Sequence, residues 1–154
     1  MRWQQGRATL DAMILRREIE RVPPSREHAD LLMHQASQHL QAARAILSID
    51  PTGAYQLIYD AARKSFNAVL ENEGLRATSA GGHIAVREAV LAQLEPPLGK
   101  VLRPFDRLRR RRNDAEYPAV GTPPLSATDV ESDLPKVQEM VEAVAKVLDQ
   151  MSPF

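Results

Sequence analysis

Apolar residues recur at the spacing of one helical face along almost the whole chain. The clearest stripe lies between Ala29 and Leu47, and a wider apolar surface follows between Ala54 and Glu73. Alternating apolar and polar runs of strand length are missing from the sequence. The pattern therefore predicts an all-α fold, an antiparallel up-and-down bundle of four main helices with an extra N-terminal helix and a short fourth helix.

Prolines, glycines and capping residues predict where these helices begin and end. Helices are expected over about 9–21, 54–73, 83–93 and 101–116, with one beginning after Ser25 and a last one near Thr128. The segment from Arg76 to Gly82 is expected to be a loop. In the last helix, Thr128 and Glu131 have the spacing of a capping box, and Pro135 predicts a kink or a later start.

The length of the chain favours one domain. A chain of 154 residues suits a single hydrophobic core, and no linker or internal repeat divides it. We therefore predict a single helical domain over 1–154, with 1–23 as an N-terminal extension helix and 25–150 as the bundle core.

Composition excludes several classes of function. The 20 basic and 20 acidic residues balance, so an electrostatic footprint for nucleic acid must be local, and only Arg103 to Arg112 offers one. The absence of cysteine excludes disulfides and thiolate metal sites and fits a cytoplasmic location. No apolar run approaches the roughly 20 residues of a membrane span, so no membrane partner is expected. No cofactor is predicted, and no metal site either, because His34 and His39 have the wrong spacing to share a metal on a helix.

The run of arginines before Pro118 is the sharpest local feature. On a helix, Phe105, Leu108 and Arg112 share one face, which places a guanidinium in line with the apolar stripe. Such a position is costly unless the charge is paired or lines a polar groove. Two interpretations stay open for Arg112: a contact to phosphate, or a structural role with a carboxylate as its counter-ion. Asp60 is the expected counter-ion, and the alternative is Glu116, four residues later on the same helix. The neighbouring arginines either bind RNA phosphates or form a solvated basic face; they are Arg109, Arg110 and Arg111.

Two stretches of the sequence resemble the HEPN superfamily, small helical domains of bacterial toxin–antitoxin and defence systems. AYQLIYDAARKSFNAVLENEGLRATSAGGH, from Ala54 to His83, resembles the long helix of the family and the loop that follows it. PFDRLRRRRNDAEYP, from Pro104 to Pro118, resembles its active-site helix. The resemblance implies a homodimer in which two motif helices meet at a groove.

The active-site motif of the family is an arginine, a polar residue beside it, and a histidine after four to six residues. Arg112 and Asn113 match its first two positions, but Tyr117 stands where the histidine belongs, and no histidine follows Arg112. Histidine is the better base near neutral pH, because the hydroxyl of tyrosine ordinarily has a pKa of about 10. Glu116 could accept a proton instead. The resemblance thus implies a site of Arg112, Asn113, Glu116 and Tyr117.

His83 offers another origin for a base. It follows Gly81 and Gly82, a pair that either makes a tight turn before a helix or presents backbone N–H groups to a phosphate. If this loop lies near Arg112, His83 could act as a displaced base.

Two functional hypotheses follow from these observations. The first is a toxin or defence module that acts on RNA, with metal-independent endoribonuclease cleavage by a degenerate motif as its candidate chemistry. The alternative is a catalytically inactive helical module that binds another protein, such as a nucleotidyltransferase or a cognate antitoxin. Both hypotheses include a homodimer, because the apolar surface of the third helix looks too wide for one bundle to cover.

Overall fold

The structure, a computed structural model, describes residues 3–154 and confirms a mostly helical fold. The described residues form six helices, one single-turn helix and a small two-stranded sheet. In chain order the elements are α1 Arg7–Leu15, β1 Ile19–Arg21, α2 Arg26–Ile46, α3 Pro51–Glu73, β2 Leu75–Ala77, α4 Gly82–Leu94, α5 Gly99–Leu102, α6 Pro104–Glu116 and α7 Ala127–Leu148. Residues 1 and 2 of the predicted N-terminal extension lie outside the described residues.

The central element is α3, which packs against α2, α4, α6 and α7. Most of its apolar residues, including Ile58 and Phe66, are buried by these neighbours, and Leu57 is partly buried. The apolar surface that looked too wide for one bundle is therefore covered within a single chain. That argument for a homodimer is therefore wrong.

Local capping explains where α2 and α3 begin and end. The Ser25 side chain accepts a hydrogen bond from the His28 N–H at 3.0 Å and begins α2, as predicted. Asp50 caps α3 in the same way, so this helix begins at Pro51, three residues before the predicted start. Gly74 ends α3 at φ 81°, where the carbonyl oxygen of Val22 approaches too closely for any side chain.

The prediction of no strand is wrong at one place. The first helix ends at Leu15 rather than near Arg21. Ile19–Arg21 then pairs antiparallel with Leu75–Ala77, the last two residues of which belong to the predicted loop from Arg76 to Gly82. Strands of three residues are too short to produce a visible alternation. Ile19 and Leu75 point into the core, and this ribbon ties the N-terminal segment to the end of α3.

The later helices also begin at positions other than those predicted. The single predicted helix over 101–116 is divided into α5 and α6, and Pro104 is the first residue of α6. The capping box of α7 uses Ser126 and Asp129 in place of Thr128 and Glu131. Since α7 begins at Ala127, the later start proposed at Pro135 is wrong; the proline lies inside the helix.

Candidate functional site

The arginine-rich helix α6 is held against α3 by its apolar face. Phe105 stacks on Phe66 with ring centroids 4.3 Å apart, and it lies 5.8 Å from the ring of Tyr59. Leu108 is fully buried beside them. This packing places the next residue of the same face, Arg112, with its guanidinium 4.6 Å from the centroid of the Tyr59 ring.

A cavity of about 320 Å³ opens beside this contact. Four helices contribute to it: α2, α3, α4 and α6. Most of its lining side chains carry charge or can exchange protons; they are His39, Tyr59, Asp60, Arg63, His83 and Arg112. Three residues singled out from the sequence thus meet in one place, Asp60, His83 and Arg112. Arg63, which the sequence offered as a groove-lining residue, also lines the cavity, and His39 joins them without having been predicted as a site residue.

The ion pairs of this cavity differ from those expected. Arg112 donates to Glu116 at 2.8 Å, so the prediction of Asp60 as its counter-ion is wrong. Asp60 instead binds Arg63 at 2.5 Å and His39 at 3.2 Å. The reason is geometric: Glu116 lies one helical turn after Arg112 on the same face, while Asp60 lies one turn before Arg63.

Arg112 keeps unused hydrogen-bonding capacity. Its side chain is 22 % exposed, and its Nε is buried without a hydrogen-bond partner among residues 3–154. The hydroxyl of Tyr59, which also lines the cavity, is likewise unpartnered within that part of the chain. Buried polar atoms are normally satisfied, so these two atoms beside one cavity retain hydrogen-bonding capacity that the described residues do not use.

His83 is positioned by the turn that precedes α4. The Gly81 N–H donates to the Thr78 hydroxyl at 3.2 Å, and that hydroxyl donates to the Arg17 carbonyl at 2.7 Å, which ties the turn to the end of α1. The pKa of His83 is lowered by burial and then by the nearby charges of Arg109, Arg112 and Arg63. His83 is exposed at the start of α4, and the lowered pKa favours its neutral imidazole, the form that accepts a proton.

The remaining residues of the motif lie outside the cavity. Tyr117 ends α6 and is 75 % exposed. Within the described residues, neither Asn113, Glu116 nor Tyr117 lines the cavity. Glu116 reaches the site only through its ion pair with Arg112.

The other arginines of the run are already paired with carboxylates. Arg109 and Arg110 both contact Asp106 at 3.4 Å, about one turn earlier in α6. Arg111 bridges Asp129 and Asp133 of α7, each at 2.9 Å. Arg111 therefore joins α6 to α7, while Arg110 remains the most exposed of the three.

Asp133 is a structural residue that sequence reasoning missed. Its side chain is 0 % exposed and accepts hydrogen bonds from Tyr55 at 2.8 Å, Arg107 at 2.7 Å and Arg111 at 2.9 Å. Burial alone would raise the pKa of Asp133, but these donors outweigh it and lower the pKa. The signal was available: an acidic residue directly before the apolar Leu134 needs a cationic partner, and α6 supplies one.

Comparison with protein-family models, with curated proteins and with solved structures finds no match for this chain. Over residues 3–154, no group of three or more histidine, aspartate or glutamate side chains is arranged to hold a metal ion. Of the helices described, none has both the length and the apolar character that crossing a membrane requires.

Proposed function

We propose that this protein is a HEPN-like toxin or defence module whose cavity binds and cleaves RNA at a phosphodiester. The observation that carries the proposal is the meeting of His83 and Arg112, 29 positions apart in sequence, at one cavity. One supplies a neutral base and the other a phosphate-binding cation, which are the two groups that metal-independent RNA cleavage needs.

Arg112 is the phosphate-binding residue of this proposal. A guanidinium binds two phosphate oxygens with its planar fork, and contact with the Tyr59 ring holds that plane in place. The single ion pair with the partly exposed Glu116 is weak, so a phosphate that accepts two hydrogen bonds from the guanidinium can replace it. Arg63 of α3 also lines the cavity and adds a second positive charge.

His83 takes the role that the resemblance assigns to the histidine missing at Tyr117. Its imidazole accepts the proton of the ribose 2′-hydroxyl, which then attacks the phosphorus. Arg109 and Arg110 are left as outer contacts to neighbouring phosphates, while Arg111 serves the packing of α6 on α7.

A homodimer and a cytoplasmic location complete the proposal. Ile84 directly follows His83 and is 67 % exposed, and the exposed Tyr117 directly follows Glu116. Exposed large apolar side chains next to a polar site are typical of a surface that a second subunit covers. A second copy of the chain would thus close the mouth of the cavity.

Binding of labelled single-stranded RNA to wild type, Arg112→Ala and Arg110→Ala tests the proposal. Both variants lose one charge from the same helix, so they change non-specific attraction equally. Arg112→Ala should weaken binding about tenfold or more, and Arg110→Ala less than about threefold, because only Arg112 makes directed bonds in the cavity. Absence of RNA binding in the wild type, or equal losses in both variants, would contradict the proposal.

The alternative function is a catalytically inactive module that binds an antitoxin or a nucleotidyltransferase. The observation in its favour is that Glu116 and Asp60 already neutralise Arg112 and Arg63. This alternative predicts that Glu116→Gln, which releases Arg112, leaves RNA binding undetectable. It also predicts a stable complex with the protein encoded by a neighbouring gene, measured by co-purification.

A further inference from the structure

We propose that His39 is a second catalytic residue of the cavity, the general acid that protonates the 5′-oxygen leaving group of the RNA. This inference rests on the proposed function, because it divides the same reaction between two histidines. It concerns a residue that the family motif does not contain and that lies on a different helix from the motif.

The position of His39 is fixed by α3. Its Nε2 lies 3.2 Å from Oδ2 of Asp60. The other oxygen of Asp60 accepts two hydrogen bonds from Arg63, from Nε at 3.0 Å and from Nη2 at 2.5 Å. Lys64 lies 3.8 Å from Oδ2 and donates to Gln35 of α2 at 3.1 Å. The carboxylate that orients His39 is therefore itself held from two sides.

This contact suits a proton donor. A carboxylate beside one ring nitrogen orients the imidazole and turns the other ring nitrogen toward the cavity, as in other pairs of acidic residue and histidine. Because Nε2 faces Asp60, Nδ1 is the nitrogen available to a substrate. The side chain of His39 is partly exposed and lines the cavity, so a bound RNA can reach it.

The two histidines differ in their charged neighbours. His83 is surrounded by Arg63, Arg109 and Arg112, whereas His39 contacts the Asp60 carboxylate, which Arg63 and Lys64 also contact. The three arginines favour the neutral form of His83, and the carboxylate fixes the direction of the His39 ring. Pairs of titratable groups whose surroundings differ in this way divide the roles of base and acid.

The resulting step is balanced in atoms and protons. The neutral ring of His83 takes the proton of the 2′-hydroxyl as the bond from the 2′-oxygen to phosphorus forms. The bond from phosphorus to the 5′-oxygen breaks, and that oxygen takes a proton from the imidazolium of His39. The products are a 2′,3′-cyclic phosphate and a 5′-hydroxyl, and no oxidant, reductant or other reactant is consumed.

Matched substrates test the role of His39. The first is an RNA oligonucleotide that the wild type cuts, and the second has sulfur in place of the 5′-oxygen at the cut linkage. A thiolate leaves without being protonated, so loss of a general acid slows cleavage of the oxygen substrate and not of the sulfur substrate. His34 of the same helix is exposed, so His34→Ala is the control variant.

His39→Ala should slow cleavage of the oxygen substrate about 100-fold or more and the sulfur substrate less than about tenfold. His83→Ala should slow both, and His34→Ala neither. Equal slowing of both substrates by His39→Ala, or no slowing, would overturn the role of His39 and leave the proposed function intact. A wild type that cuts no RNA, or a His83→Ala variant of full activity, would overturn the proposed function as well. If His39→Ala does not fold, as judged by circular dichroism, His39→Gln replaces it, since its amide still donates to Asp60.

Discussion

The guanidinium of Arg112 lies over the ring of Tyr59, 4.6 Å from its centroid. Arg112 also lines the cavity; its Nη1 donates to Glu116, and its buried Nε is unpartnered among the described residues. Arg112 is thus positioned before a ligand arrives, and little side-chain ordering remains to be lost on binding. This geometry is compatible with the proposed phosphate-binding role and with a structural one.

Arg112→Lys separates these two roles. Lysine keeps the charge but has neither the flat fork nor the stacking surface, so RNA affinity should fall about tenfold. The free energy of unfolding should fall by only about 1 kcal/mol, because the lost contacts are one ring and one partly exposed carboxylate. Thermal melting and RNA titration measure both quantities. A stability loss of about 3 kcal/mol with unchanged RNA affinity would identify Arg112 as a structural cation instead.

Asp133→Asn should destabilise the fold by about 2 to 3 kcal/mol at pH 7. The amide cannot accept from Tyr55, Arg107 and Arg111 at once, which leaves buried donors unsatisfied. Asp149→Asn, near the end of α7 and 73 % exposed, is the control and should cost less than about 0.5 kcal/mol. Urea denaturation provides the comparison.

The same variant has an expected dependence on pH. Because the folded pKa of Asp133 is lowered, its charge stabilises the fold above the ordinary pKa of 3.8, and this contribution is lost as the pH falls through the folded pKa. The difference between wild type and Asp133→Asn should therefore shrink in acid. A difference that grows below about pH 4 would contradict the ion-pair network.

Glu73 should make the protein less stable as the pH rises from about 4.5 to about 7. Burial raises its pKa to about 7, and the hydrogen bond from Gln93 lowers it only partly. Over this range the folded state keeps a proton that the unfolded state has released, so the free energy of unfolding declines with pH. Glu73→Gln keeps the acceptor for Gln93 without the charge. As the pH rises from about 4 to about 8, the free energy of unfolding of Glu73→Gln should increase by roughly 2 kcal/mol relative to that of the wild type.

The control for this effect is Glu131→Gln, a change at an exposed position of α7. It should follow the pH profile of the wild type. Melting temperatures of all three proteins at several pH values give the comparison. Parallel profiles for Glu73→Gln and wild type would show that ionisation of Glu73 does not destabilise the fold.

Tyr117→His should leave RNA cleavage within about twofold of the wild type. The change restores the spacing of the family motif, but Tyr117 is exposed at the end of α6 and does not line the cavity in the described chain. If His83 is the base, a second imidazole outside the cavity does not increase the rate of cleavage. A large increase in rate would instead assign the base to the motif position and remove His83 from the mechanism.

Periodicity and capping chemistry were sufficient to predict the main helices. The apolar stripe before Leu47, the cap at Ser25 and the glycine at Gly74 are local signals, and each is confirmed. The pairing of Ile19–Arg21 with Leu75–Ala77 was missed because it joins two short segments far apart in sequence. Such pairing is decided by tertiary contact and has no local signature.

The site was predictable to a similar degree. Arg112 stood out because a cation in line with an apolar stripe needs a reason, and His83 because it follows paired glycines. The carboxylate that pairs with each cation was harder to predict. Arg112 binds Glu116 one turn later in its own helix, a pairing that the spacing in the sequence allows, whereas Asp60 binds His39 of another helix, which depends on how α2 and α3 pack.

The most direct measurement of the central claim is analysis of the ends of RNA cut by the purified protein in the presence of a metal chelator. Wild type should produce fragments with 2′,3′-cyclic phosphate and 5′-hydroxyl ends, and both Arg112→Ala and His83→Ala should abolish them. Intact RNA after incubation with the wild type, or fragments that carry 5′-phosphate, would contradict a cavity that cleaves RNA through Arg112 and His83.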